Sequence, residues 1–217
     1  MTDSSDAFIP TDRSRIRRSH EKARYDKETV YAIVDATPLC HVGYSIDGQP
    51  YVTPTLHWRV GDVLYWHGSS ASRMLKPTKK GLPACVTITH FDGFVLARTS
   101  FEHTANFRTA MLYGTAKAMT DRDAKEEALR VMMEGLFPGR WAELRASTDQ
   151  ELKATTVVEM PIDDAAAKVR TGPPDDPEED YATERVWAGV LPRHEIWGAP
   201  ADDPRLLPGI SLPDYLK

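Results

Sequence analysis

Between Leu39 and His67 the chain carries three strand-type runs joined by two of the tightest turns that a sequence can encode. Leu39–Ser45 leads into Asp47-Gly48, Tyr51–Val60 leads into Gly61-Asp62, and Val63–His67 follows. Such pairs supply the positive φ that two-residue hairpins require. Turns this short leave no room for a crossover helix, so the three runs form an antiparallel meander.

The remaining runs extend the same plan. Ala84–His90 alternates Cys85, Thr87 and Thr89 with Val86 and Ile88, and Phe91-Asp92-Gly93 turns the chain back through Val95–Arg98. Asn106–Gly114 and Ala154–Ile162 are further strand-type runs. Two helices stand out. Asp26 caps one that carries Val30, Ile33 and Val34 on one face and ends at Thr37-Pro38. The other starts with acids at Thr120-Asp121-Arg122-Asp123, carries Ala124, Ala128, Val131 and Met132, and is expected to stop at Gly135. The expected fold class is mainly β with helical additions, built as a small antiparallel barrel.

Residues 1–25 form a polar, basic extension with Arg13, Arg15, Arg17 and Arg18. No aromatic residue interleaves these charges before Tyr25, so they read as a solvated lead-in rather than a nucleic-acid arm. Residues 26–197 make one domain, and 198–217, with Pro200, Pro204, Pro208 and Pro213, an extended arm. The formal net charge of −5 argues against a generally basic nucleic-acid surface. No apolar run approaches the roughly 18–20 residues that span a bilayer. Cys40 and Cys85 sit in apolar runs without CxxC spacing and read as buried thiols of a reducing compartment. The expectation is a soluble, cytoplasmic protein with neither a nucleic-acid nor a membrane partner.

Motif chemistry is mostly excluded. The seven histidines fall in no HxxxH or HExxH pattern. His41 and His57 could meet across neighbouring strands, but no third ligand accompanies them, so no metal is expected. There is no GxSxG elbow and no GxGxxG after a strand.

One stretch does carry chemistry. The run Val63–His67 breaks at Gly68 into Ser69, Ser70 and Ser72, then into a helix-compatible segment with Arg73 and Lys76 before Pro77. Hydroxyls, unpaired N–H groups of a helix start and two cations three residues apart would seat a phosphate. A capped turn with two solvated cations fits the same residues. Thr53 and Thr55 share one face of the second strand, and Pro54 between them marks an edge or a bulge.

The stretch Val63–Lys76 resembles the phosphate-binding segment of the flavin-binding split-barrel proteins. These form the pyridoxamine-phosphate-oxidase-like superfamily, and the most similar branch contains the nitroimidazole-resistance proteins. Three further pieces are similar to that branch in the same order. Asn106-Phe107-Arg108-Thr109-Ala110 resembles its Asn-aromatic-Arg-Ser-Val pattern. Lys168-Val169-Arg170-Thr171-Gly172 resembles its Lys-x-Arg-x-Gly, and Trp187-Ala188-Gly189-Val190-Leu191-Pro192 its closing strand.

The resemblance implies FMN held in the groove of a homodimer. Ser72, Arg73 and Lys76 would bind the phosphate, His67, Gly68 and Ser69 would lie near the ring, and the strand with Thr53 and Thr55 would run beside it. Asn106, Arg98 and Trp187 would close the slot from the second subunit. The implied function is an oxidoreductase passing hydride or electrons between flavin and a small-molecule substrate. A deazaflavin or a haem in the same slot, or a non-catalytic flavin-binding or sensory module, are the alternatives. No catalytic residue is assigned; His67 is expected to be a wall residue. Pro192-Arg193-His194 is only a weak echo of the substrate-phosphate motif of true pyridoxamine phosphate oxidases, so that same activity is not expected.

Overall fold

The structure, a computed structural model, describes residues 6–216. Among them, β1 (Ala23–Arg24), α1 (Lys27–Asp35), β2 (Leu39–Ile46), β3 (Gln49–Val60) and β4 (Val63–Ser69) come first. Two long strands follow, β5 (Leu82–Leu96) and β6 (Thr104–Ala118), then α2 (Arg122–Leu136), α3 (Arg140–Glu143) and α4 (Asp149–Ala154). The chain continues through β7 (Thr155–Pro161), β8 (Asp164–Arg170), α5 (Glu178–Thr183) and β9 (Gly189–Pro192).

Both hairpins close as their turns predict. Asp47 and Gly48 have φ of 51° and 80°, and Val42 lies opposite Thr53. Gly61 has φ 58°, and Trp58 lies opposite Tyr65. Beyond the meander, β4 pairs with β7, β7 with the end of β6, β6 with β5, and β5 with β2. Six strands therefore close a ring. β8 pairs with the first half of β6, β1 pairs with β8, and β9 extends the far end of β5. This is a split antiparallel barrel. β5 and β6, fifteen residues each, are long enough to belong to the ring at one end and to the side sheet at the other.

That length corrects one expectation. Phe91-Asp92-Gly93 is not a turn: β5 runs straight through it with a bulge between Phe91 and Gly93. Gly93 takes φ 146° there, which explains the glycine without a reversal. Asp92 is held by Arg108, whose Nε and Nη2 donate to the carboxylate at 2.9 and 2.8 Å.

The core follows the alternation of the strands. Val42, Leu64, Trp66, Val86, Ile88, Leu112 and Met160 point inward and are buried. Each side chain of this size contributes roughly 1.5–3 kcal/mol by leaving water. α1 closes the barrel with Val30, Ile33 and Val34, and Asp26 accepts the Thr29 N–H at 2.8 Å to cap it. α2 is capped by Asp121, whose side chain accepts from Ala124, and passes through Gly135 to end at Leu136. Gly114 lies where the turn from β7 to β8 crosses β6. A Cβ there would collide with the Pro161 carbonyl oxygen and the Met160 side chain.

The N-terminal segment lies against the barrel. Phe8 is buried, the Thr11 hydroxyl donates to Asp164, and Arg13 pairs with the same carboxylate at 3.2 Å. At the other end, Ile196 and Trp197 are exposed, and Tyr215 is tied to α3 by donating to Glu143 at 2.8 Å. Among the described residues, no helix is long and apolar enough to cross a membrane.

Candidate functional site

The connection from β4 to β5 is built from the inside outward. Met74 and Leu75 are buried, which pins the middle of the segment and turns Arg73 and Lys76 to the surface on either side. The expected helix is a single turn, with the Ser72 N–H donating to the Ser69 carbonyl at 2.8 Å and the Lys76 N–H to the Ser72 carbonyl at 3.3 Å. It cannot lengthen, because Pro77 follows and opens a separate 3-10 turn, Pro77–Lys80. The Ser70 N–H donates to the Ala154 carbonyl, so the loop is anchored to the start of β7. Gly68 lets Leu75 close in, since an added Cβ would lie 3.1 Å from its Cδ1.

Arg73 reaches back to β3, its guanidinium 5.3 Å from the centroid of the Tyr51 ring. Tyr51 stacks on Tyr44 at 5.5 Å, and the Tyr44 hydroxyl shares a 3.1 Å hydrogen bond with that of Thr53. Among the described residues, neither Arg73 nor Lys76 forms an ion pair. Some other surface cations are compensated, Arg59 by Asp35, Arg108 by Asp92 and Arg130 by Glu127. Two charges left open beside serine hydroxyls are what a phosphate or diphosphate needs.

The faces of the strands sort the remaining candidates. Thr53 and Thr55 lie opposite the buried Val42 and Cys40, so their hydroxyls share the inner face. His67 follows the buried Trp66 and therefore points to the outer face. Val52, Pro54 and Leu56 share that outer face and stay exposed, an apolar strip that begins next to Tyr51. Tyr51, whose ring Arg73 meets, shares the inner face with Thr53 and Thr55 rather than the face of the strip. The strand with Thr53 and Thr55 thus offers its apolar side, rather than their hydroxyls, to the surface that His67 occupies.

His67 is half-buried, and its Nδ1 is buried without a hydrogen-bond partner. Burial pushes the imidazole below its ordinary value near 6.5, so the ring is neutral at pH 7. Trp58 stands 6.1 Å away, stacked on Tyr65 at 5.6 Å, and its own Nε1 is also buried and unpartnered. The sequence reading missed Trp58, Tyr65 and the Val52–Leu56 strip. The register of β3 on β4, with Trp58 set between two turns of known length, is the signal that could have found them.

Arg98, Asn106 and Trp187 gather elsewhere. Arg98 pairs with the buried Asp176 at 3.0 Å and lies over the Tyr181 ring at 4.3 Å. Asn106 accepts from Arg170 at 2.5 Å and donates to the Gly172 carbonyl at 3.0 Å. Trp187 is mostly exposed and covers Gly189 at the start of β9. These residues sit around the far end of β5, where Asn106 faces Gly93. The Arg73 loop feeds the opposite end at Leu82, eleven residues back (93 − 82), or roughly 35 Å along a strand. One chain does not bring the two groups together. A separate open groove of about 560 Å³ lies at the far end, lined by Arg18, Lys22, His103 and Arg170 among others.

His41 and His57 do not meet: His41 is exposed, whereas His57 is buried with its Nε2 3.0 Å from the Val34 carbonyl. Among the described residues, no cluster of three or more His, Cys, Asp or Glu side chains could hold a metal ion.

A split barrel of this topology defines a class of protein, and the comparisons agree with it. Residues 26–169 match the pyridoxamine 5'-phosphate oxidase family, and the chain belongs to that family. The flavocytochrome Anf3 from Azotobacter vinelandii is 47% identical over 96% of this chain and 97% of its own, with a TM-score of 0.91. The FAD and haem binding protein from Mycobacterium smegmatis is 40% identical over 89% of this chain and 95% of its own, with a TM-score of 0.84. A protein from Bacteroides thetaiotaomicron, described as a 5-nitroimidazole antibiotic resistance protein, is 22% identical and shares the fold, with a TM-score of 0.57 over 68% of this chain and 86% of its own. None of the curated proteins compared matches this chain.

Proposed function

We propose that the protein is a flavin-binding redox protein that also holds a haem. The observation that carries this is the pairing, on one strand and the loop after it, of a neutral half-buried imidazole with two uncompensated cations. The two relatives that cover nearly the whole chain are named for flavin and for FAD with haem, which supports the same reading.

Ser72, Arg73 and Lys76 hold the flavin phosphates. A monophosphate and a diphosphate both suit two cations. The second relative is named for FAD, so FAD is the flavin assigned here, with FMN the alternative that extraction would reveal. His67 supplies the haem ligand. Its ring is neutral at pH 7, as a metal-ligating imidazole must be, and its buried Nδ1 has no hydrogen-bond partner among the described residues. Flavin and haem supply the electron transfer, and the chain binds, orients and shields them. The reaction class is oxidation–reduction of a small molecule.

The distance between Arg73 and the Arg98–Asn106 end supports a homodimer in which the far end of one copy covers the seat of the other. The exposed Trp187, Trp197, Ile196 and Leu191 provide apolar area for such an interface.

The test is the absorbance spectrum of the purified protein, followed by denaturation and chromatography of what is released. Flavin and haem bands together, with FAD in the extract, are expected. A colourless protein that takes up neither cofactor when both are supplied would overturn the reading.

A further inference from the structure

We propose that the lysine surface around the β4–β5 connection docks a small acidic electron-carrier protein. The proposal rests on the flavin reading above and adds the source of electrons. Lys79 and Lys80 belong to the 3-10 turn Pro77–Lys80, and both are exposed. Thr78 between them and Lys76 is fully buried and donates to the Leu75 carbonyl at 2.6 Å, which fixes the turn and keeps its lysines outward. Gly81 follows at φ 86°, and an added Cβ would stand 4.0 Å from Cε of Lys117, so the exposed Lys117 side chain lies against the same turn. Among the described residues, none of these three lysines forms an ion pair. Glu159, opposite Lys117 in the β6–β7 register, makes none with it.

The result is three adjoining open lysines beside the loop that carries Arg73 and Lys76, on a chain whose net charge is −5. Several surface arginines elsewhere are matched by carboxylates, as Arg122 is by Asp149 and Arg145 by Glu151. A concentration of one sign on an otherwise opposite background steers and orients a partner of the other sign. Lys79, Lys80 and Lys117 are all exposed, so the surface suits a macromolecular face. The patch adjoins the proposed flavin phosphate seat, so a carrier docked there stands next to the bound cofactor. Each encounter passes one electron from the reduced carrier, which is oxidised by one electron. Two encounters, with protons from solvent, reduce the flavin by two.

The holoprotein is mixed with a reduced plant-type [2Fe–2S] ferredoxin as the acidic carrier, and flavin reduction is followed by stopped flow. Calorimetry with the oxidised ferredoxin measures docking separately. The rate constant is expected to fall steeply as salt rises, over the range where the screening length shrinks from about 30 to 10 Å. The triple variant Lys79→Glu, Lys80→Glu, Lys117→Glu is expected to lose at least tenfold at low salt, while the three Lys→Arg changes retain the rate. Flavin content and reduction by dithionite should be unchanged in both.

An undiminished rate in the charge-reversed variant overturns the proposal. So does a loss of bound flavin, which would place these lysines in the cofactor seat, or a salt-independent wild-type rate. Rapid reduction by a nicotinamide dinucleotide that the charge reversal slows, with ferredoxin inert, also overturns it. A protein that binds ferredoxin in the expected salt-sensitive way but contains no flavin fails the cofactor reading alone.

Discussion

The guanidinium of Arg73 lies 5.3 Å from the ring centroid of Tyr51, twenty-two residues earlier in the chain (73 − 51) and on a different strand. The contact holds a cation that has no carboxylate partner among the described residues against β3, on the face that Thr53 and Thr55 share. A charge left open in this way is available to a ligand at little cost in lost partners.

Arg73→Ala should therefore weaken flavin nucleotide binding by about 1.5–3 kcal/mol, roughly ten- to 150-fold. Riboflavin, with no phosphate, should bind the variant and the parent alike. Fluorescence titration of the apoprotein with FAD, FMN and riboflavin measures this. An unchanged FAD affinity in a variant of normal thermal stability would move the phosphate elsewhere.

His67→Ala should abolish the haem bands while leaving the flavin extract at parental stoichiometry. The two cofactors are assigned to different groups, the imidazole and the serine–arginine–lysine loop, so their losses should separate. Loss of flavin with retention of haem would reverse the assignment.

Light scattering should show a dimer. Asp176→Asn, which releases Arg98 at the far end of β5, should lower flavin affinity although Asp176 lies far from Arg73 in its own chain. A monomer that binds FAD tightly would refute the composite site.

Two glycines give opposite expectations for stability. A Cβ at Gly135, inside α2, meets nothing within 4 Å, so Gly135→Ala should stabilise by about 0.5–1 kcal/mol. Gly114→Ala must push the β7–β8 turn off β6 and should destabilise by about 1–3 kcal/mol or more. Urea unfolding of the two variants beside the parent decides both.

His57 and His67 are held below their ordinary pKa by burial. The folded chain therefore binds fewer protons than the unfolded one once the pH drops below about 6.5. Stability should be level above pH 7 and should fall as the pH is lowered through 6.5. The Tm of the apoprotein, measured from pH 8 to pH 5, checks the sign; a Tm that rises on acidification would contradict it.

The sequence by itself determined whatever depends on a few neighbouring residues. Asp47-Gly48 and Gly61-Asp62 dictate their hairpins because few residues tolerate the φ those turns need. Asp26 and Asp121 dictate helix starts by accepting an N–H three residues on. Arg73 and Lys76 are legible beside the serines because strand end, hydroxyls and cations are contiguous. The alternation of apolar and polar residues likewise reports the inner face of β2 through β5.

Tertiary structure decided what depends on distant partners. The Asp92-Gly93 signal is locally a turn, yet β6 pairs with both sides of it and holds the chain straight. Arg98 and Asn106 are held by Asp176 and Arg170, 78 and 64 residues away, pairings that no local pattern announces. Whether a cation is open or compensated depends on every carboxylate that the fold carries near it. That is why the free charge of Lys79, Lys80 and Lys117 became visible only once the barrel had closed.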